Sequence, residues 1–183
     1  GKSFVANQFG YPVFNADKEV NKIYKKNKTC FNRLKKKLPK YIKSYPVDKF
    51  ELTRAILENK INLKKIINIV HPIIRKKMNF FLKKNHNRKM VVLDIPLLIE
   101  NKLNRKNDVL VFIDTQKKEI NKRLKNRKNY NKKIIDSFRK IQKPLSYKKK
   151  LSKYIIENNF KLLTVKKRVN IIKKYIINER SSS

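Results

Sequence analysis

Two short, unbroken apolar runs constrain this chain more than any other feature. Met90-Val91-Val92-Leu93-Asp94-Ile95 and Val109-Leu110-Val111-Phe112-Ile113-Asp114 are rich in β-branched residues, and each carries an aspartate at or near its end. Runs without polar alternation read as strands covered on both faces, the usual setting of a parallel sheet. Helix-length segments separate and follow them. Helices are expected at about 116–125, 132–141 and 145–153, then a short strand at Tyr154-Ile155-Ile156. A last amphipathic helix spans 162–177, with Leu162, Val165, Val169, Ile172 and Ile176 on one stripe. This alternation predicts an α/β fold with a parallel sheet and right-handed crossovers.

The first half has a different texture. Gly1-Lys2-Ser3 leads into Phe4, Val5, Ala6 and Phe9, a short helix closed by Gly10. Residues 11–15 form a brief extended stretch. Helical patterns follow at 17–37, at 48–57 and at 63–82. The last should break or kink just before Pro72, where proline removes a helix hydrogen bond.

Charge invites a nucleic-acid reading, which composition tempers. Among 183 residues, 50 Lys and Arg face 13 Asp and Glu, a net charge of +37 that suits a polyanion. Yet Lys, Asn and Ile are abundant while Gly and Ala are scarce, the bias of AT-rich codons. Lys also outnumbers Arg, the residue specific nucleic-acid contacts prefer. A solvated lysine surface is the better account, with no specific nucleic acid expected as a partner. One cysteine, Cys30, excludes a disulfide framework. No apolar run approaches the ~18 residues that span a bilayer, and no signal-peptide pattern opens the chain, so a soluble, cytoplasmic protein is expected.

Several small constellations suggest chemistry. Gly1-Lys2-Ser3 has the form of the last three positions of the phosphate loop G-x-x-x-x-G-K-[ST], and it begins a helix. In that loop backbone amides surround phosphates, the lysine neutralises β/γ oxygens, and the hydroxyl binds Mg²⁺. Asp17 follows the first extended stretch, at the sheet edge where ligands bind, and could accept a proton from a substrate hydroxyl. Its ordinary role would be an N-cap. His71 and Arg75 lie one helical turn apart, and Arg75 could hold an anionic group. Asp94 stands where a strand-end carboxylate would help to hold Mg²⁺-bound water. Arg123 and Arg127 share a helix face and could clamp a phosphoryl group, although a solvated basic face is the default.

Taken in order, these units resemble the dephospho-CoA kinase family, P-loop kinases that phosphorylate the ribose 3′-hydroxyl of dephospho-CoA with ATP in the last step of coenzyme A synthesis. The resemblance runs along nearly the whole chain. It rests on GKS, on VFNAD where the family reads V-[IVF]-D-A-D, and on VDKFELTRAIL and IVHPIIR. It continues through VVLDIPLLIEN, DVLVFIDT, KRLKNR and QKPLSYKKKLSKYIIENN. It implies a P-loop NTPase three-layer α/β fold within a single domain. The core would comprise residues 1–20, 88–115 and 154–180, with a helical substrate region at 21–87 and a lid at 116–152. It also implies roles. Gly1, Lys2 and Ser3 would bind ATP phosphates, with Ser3 and, through water, Asp94 on Mg²⁺. Asp17 would be the general base, and Arg75 would lie in the substrate-binding region. Arg123 and Arg127 would be lid arginines, and Asn158 would lie near the adenine.

Departures accompany the likeness. Asn15 stands for the first Asp of D-A-D, Lys49 for Arg, Lys153 for the Asp of A-D, and Lys128 follows Arg127 where Asp is common. Upstream of Gly1 the family has a strand and five more loop positions, about a dozen residues. The chain is therefore expected to be a fragment of a longer product that binds ATP poorly as it stands. Three rival readings remain: another small-molecule P-loop kinase, a basic nucleic-acid-binding protein without catalysis, and an inactive relative of the kinases.

Overall fold

The computed structural model describes residues 1–126 and 130–181. Helix α1 (Lys2–Ala6) runs into a 3-10 turn over Asn7–Phe9. Gly10 closes it at φ 72°, a left-handed conformation that costs glycine little. Strand β1 (Val13–Asn15) leads straight into α2 (Ala16–Lys26), followed by α3 (Lys28–Lys37), α4 (Lys49–Glu58) and α5 (Ile61–Lys84). Then come β2 (Val92–Asp94), β3 (Val111–Asp114), α6 (Lys117–Lys125), α7 (Lys132–Lys140), α8 (Leu145–Leu151), β4 (Tyr154–Glu157) and α9 (Leu162–Ser181). Among the described residues, no helix is long and apolar enough to cross a membrane. The chain divides into two compact units, one comprising Gly1–Phe14, Asn87–Tyr130 and Ile141–Ser183, the other Asn15–His86 and Asn131–Lys140.

The first unit holds the α/β part. Its strands are only three or four residues long and pair two by two among the described residues, β1 with β2 and β3 with β4. The β3–β4 pair is parallel, running from Val111 opposite Tyr154 to Asp114 opposite Glu157. Both apolar runs thus form strands, but they are half-buried along most of their length rather than covered on both faces. The core lies under one side, where Val5, Phe9 and Ile156 meet Val165, Val169, Ile172 and Ile176 of α9. Leu162 drops out of the expected stripe. It is the first residue of α9 and remains half exposed, one turn short of the place where the helix reaches the core.

The second unit is helical. The pattern expected to be continuous over 17–37 is cut at Asn27, whose extended backbone ends α2 and begins α3. Its side chain accepts from the Cys30 N–H at 2.7 Å, the local bond by which asparagine competes with helix continuation. Pro72 produces the opposite surprise. Helix α5 runs unbroken through it, because Leu63, Ile66 and Val70 before it and Ile74 and Met78 after it are all buried. Burial of each such side chain contributes about 1.5–3 kcal/mol, against about 3 kcal/mol for an interior proline. The sum favours the helix. Helix α5 packs on α2, α3 and α4, and the buried Asn62 donates its amide to the Ala55 carbonyl at 2.9 Å, fixing the α4–α5 corner.

One carboxylate joins α2 to α5. Glu19 meets Lys22 Nζ at 2.5 Å and Lys77 Nζ at 3.3 Å. Burial by itself would raise its pKa, but hydrogen bonds and attraction from Lys22 and Lys77 outweigh burial and hold it below the ordinary 4.5. A carboxylate depressed in the folded state contributes stability above its unfolded pKa and loses it as pH falls through the folded value. Because Lys22 is exposed and Lys77 partly so, solvent screens both pairs, and the contribution should be about 1 kcal/mol or less. Denaturant titrations of wild type and Glu19→Gln should differ in the wild type's favour at neutral pH. That difference should shrink once pH drops below 4.5. A gap independent of pH would mean that Glu19 acts by packing alone.

Candidate active site

The chemistry-bearing residues of the first unit converge around the start of α1. Val5 and Phe9 are buried in the core and hold this helix against β2 and α9. Its first turn therefore lies beside the end of β2. There Ser3 Oγ donates to Asp94 Oδ2 at 2.5 Å, joining two residues ninety-one positions apart in sequence. Asp94 is buried, with 7 % of its surface exposed. Lys2, between Gly1 and Ser3, is exposed to solvent.

Gly1 sits in a cradle that a side chain would fill. A Cβ there would lie 2.9 Å from Asn158 Nδ2 and 3.4 Å from Thr115 Oγ1, so the buried Asn158 amide would have to shift to admit it. Asn158 follows β4 and is almost fully buried. Its backbone N–H donates to the Asp114 carbonyl at 2.7 Å, and its Oδ1 accepts from the Phe160 N–H at 3.0 Å. Its Nδ2 is buried without a hydrogen-bond partner. An unmet buried donor costs about 1–3 kcal/mol, so it suits a ligand that brings an acceptor. Arg123 on α6 completes the group: its guanidinium lies 3.6 Å from the centroid of the Phe160 ring.

Hard oxygen donors, one hydroxyl and one carboxylate, are what a magnesium ion takes from protein when phosphates and water supply its remaining positions. Ser3 and Asp94 fit that donor set. Among the described residues there is no cluster of three or more His, Cys, Asp or Glu.

The segment after Asp94 is held on both sides. Leu97 and Lys102 adopt left-handed backbone, at φ 56° and 48°, which neither side chain favours. Glu100 secures the loop between them: its Oε1 accepts from the Lys143 N–H at 2.8 Å and pairs with Lys148 Nζ at 2.7 Å. Burial pushes the Glu100 pKa upward, but hydrogen bonds from Lys148 and from the Glu100 and Lys143 backbone N–H groups, with the attraction of Lys148, hold it below the ordinary 4.5. The Asp94 loop is thereby tied to α8.

Asp17 and Arg75 belong to the helical unit. Asp17 is the second residue of α2 and exposed, and it does not cap that helix. Asn15 does, accepting from the Lys18 N–H at 2.8 Å. As a helix cap Asn15 does what an aspartate would, since both residues cap well. Arg75 is exposed on α5, one turn from the half-buried His71. Burial, and then repulsion from Arg75, lower the His71 pKa below 6.5. Arg127 and Lys128 lie outside the described residues. Thr115, Phe160 and Glu100 were not singled out individually in the sequence. Thr115 and Glu100 fall inside the family-like segments DVLVFIDT and VVLDIPLLIEN, while Phe160 lies just past the last such segment, which ends at Asn159.

Known proteins resemble this chain along most of its length. The family model for dephospho-CoA kinase matches residues 1–163. A dephospho-CoA kinase of Wolbachia pipientis wMel is 32 % identical over 164 residues, covering 87 % of this chain and 84 % of the relative. One from Zymomonas mobilis is 26 % identical over 184 residues, covering 99 % and 93 %. Two solved structures share the fold. TT1252 from Thermus thermophilus has a TM-score of 0.68 at 21 % identity, over 92 % of this chain and 86 % of that one. The dephospho-CoA kinase from Campylobacter jejuni has a TM-score of 0.58 at 22 % identity, over 94 % and 88 %. These relatives do not favour a basic nucleic-acid-binding protein without catalysis. Matched by the family model over most of its length, the chain belongs to the dephospho-CoA kinase family, with that family's P-loop α/β fold.

Proposed function

We propose that this member of the family transfers the γ-phosphoryl group of ATP to the ribose 3′-hydroxyl of dephospho-CoA, giving coenzyme A and ADP. The observation that carries the reading is the Ser3–Asp94 hydrogen bond at the head of the Gly1-Lys2-Ser3 helix. It brings a hydroxyl and a carboxylate together where a nucleotide's phosphates would lie. Phosphoryl transfer asks a protein mainly for positioning and charge neutralisation, and this chain supplies both.

In this reading the ATP phosphates lie along Gly1, Lys2 and Ser3, with the Lys2 ammonium balancing β- and γ-oxygen charge. Ser3 and, through water, Asp94 would hold Mg²⁺, which when bound screens phosphate charge. The 3′-oxygen attacks the γ-phosphorus, the bond from that phosphorus to the β–γ bridging oxygen breaks, and ADP leaves with that electron pair. Asp17 takes the proton lost by the hydroxyl. Arg75 binds an anionic group of the acceptor, while Arg123 and Arg127 bind phosphates. The Asn158 amide donates to the adenine end of ATP. We assign residues 1–20, 88–115 and 154–180 to the core, 21–87 to substrate binding and 116–152 to a lid that excludes water. The cytoplasm is the proposed site of action, and polyanion binding should be weak and strongly salt-dependent.

Acceptor choice tests the activity. With ATP in excess, dephospho-CoA should be consumed with one ADP formed per acceptor, and nucleoside monophosphates should react far more slowly. A preference for a monophosphate would redirect the assignment to another kinase class. Asp17 tests the mechanism. Asp17→Asn should lower kcat by roughly 10²–10⁴-fold with a much smaller change in the KM for ATP. Unchanged turnover would show that some other group takes the proton.

A further inference from the structure

Phe160 occupies a position that its backbone alone would assign to glycine. Its φ is 61°, a left-handed conformation that a bulky side chain rarely adopts. Something must hold the aromatic ring there. The ring packs against Phe4 of α1, with centroids 5.9 Å apart and planes at 38°. Its Cζ lies 3.7 Å from the point where a Cβ of Gly1 would stand, and its N–H is fixed by Asn158 Oδ1. Over the ring lies the Arg123 guanidinium, 3.6 Å from the centroid. One residue thus links three groups: its backbone N–H meets the buried Asn158 side chain, and its ring lies between the cradle at Gly1 and an arginine from a separate helix.

The manner of this contact matters. An arginine held by a carboxylate spends both charge and N–H edge on its partner. An arginine stacked on a ring spends only its flat face, leaving its in-plane N–H donors and full charge for an anion. The carboxylate nearest to Arg123 is Glu119, whose Oε2 is 3.9 Å from Nε, beyond hydrogen-bond distance. From these contacts we infer that Phe160 is a positioning residue, a platform that holds Arg123 beside the Gly1 cradle with its donors directed to a polyphosphate. This rests on the reading of Arg123 as a phosphate ligand and adds how it is held in place.

The test is a double-mutant cycle on the full chain, read as affinity for a non-hydrolysable ATP analogue and, separately, for inorganic tripolyphosphate. Phe160→Gly suits the left-handed backbone, so the fold should persist, as a thermal midpoint no lower than that of Phe160→Ala would verify. It should weaken both ligands about three- to tenfold, and Phe160→Tyr should restore wild-type affinity. In an Arg123→Ala background Phe160→Gly should have little further effect. Equal losses in both backgrounds would overturn the inference. So would weakened analogue binding with unchanged tripolyphosphate binding, since Phe160 would then serve the base rather than the arginine. Absence of tripolyphosphate binding in the wild type would overturn it as well. The activity stands or falls separately: a wild type that shows the coupling but does not phosphorylate dephospho-CoA would refute the kinase assignment and leave the platform intact.

Discussion

The packing of α1 against α9 is the constraint on which the first unit's site depends. Val5 and Phe9 enter the same core as Val165, Val169, Ile172 and Ile176, and that burial fixes where a helix of only five residues can point. A helix so short has little stability of its own. Its first turn is useful only because its apolar side is anchored. With α1 so held, Ser3 reaches Asp94 and Gly1 comes up against Asn158.

Each polar element of the site depends on this anchoring in a different way. Asp94 is a buried carboxylate, and burying a charge is tolerable only with partners, one of which is the Ser3 hydroxyl. Asn158 is buried with one donor unmet, a cost that a ligand's acceptor would remove. Arg123 stays exposed, with its guanidinium over an aromatic face and the Glu119 carboxylate 3.9 Å from its Nε. The loop after Asp94 accepts two left-handed residues because Glu100 and its lysine partners brace it. The helical unit follows other rules: a continuous apolar stripe on α5 and the Glu19 ion pairs hold α2, the helix whose first turn contains Asp17.

Much of this was legible in the amino-acid order, for reasons that can be named. The Gly1-Lys2-Ser3 helix and its Gly10 stop are local, so spacing and a left-handed glycine announce them. The strands ending at Asp94 and Asp114 follow from unbroken β-branched runs. Local signals misled where tertiary packing or a side-chain bond decided the outcome. Pro72 signalled a break or kink, yet α5 continues through it on five buried residues, and Asn27 divides a helix that periodicity alone would continue. The Phe160–Arg123 stack was illegible, because two residues on separate elements leave no periodic trace. The roles of Asp17 and Arg75 come from motif likeness, since each lies exposed on an ordinary helix.

Product identity tests the central claim most directly. Phosphorus NMR of the material formed from ATP and dephospho-CoA should show one new phosphomonoester resonance coupled to the ribose H3′ proton, growing in step with ADP. A phosphate on any other hydroxyl, or ATP breakdown yielding only inorganic phosphate, would contradict the account.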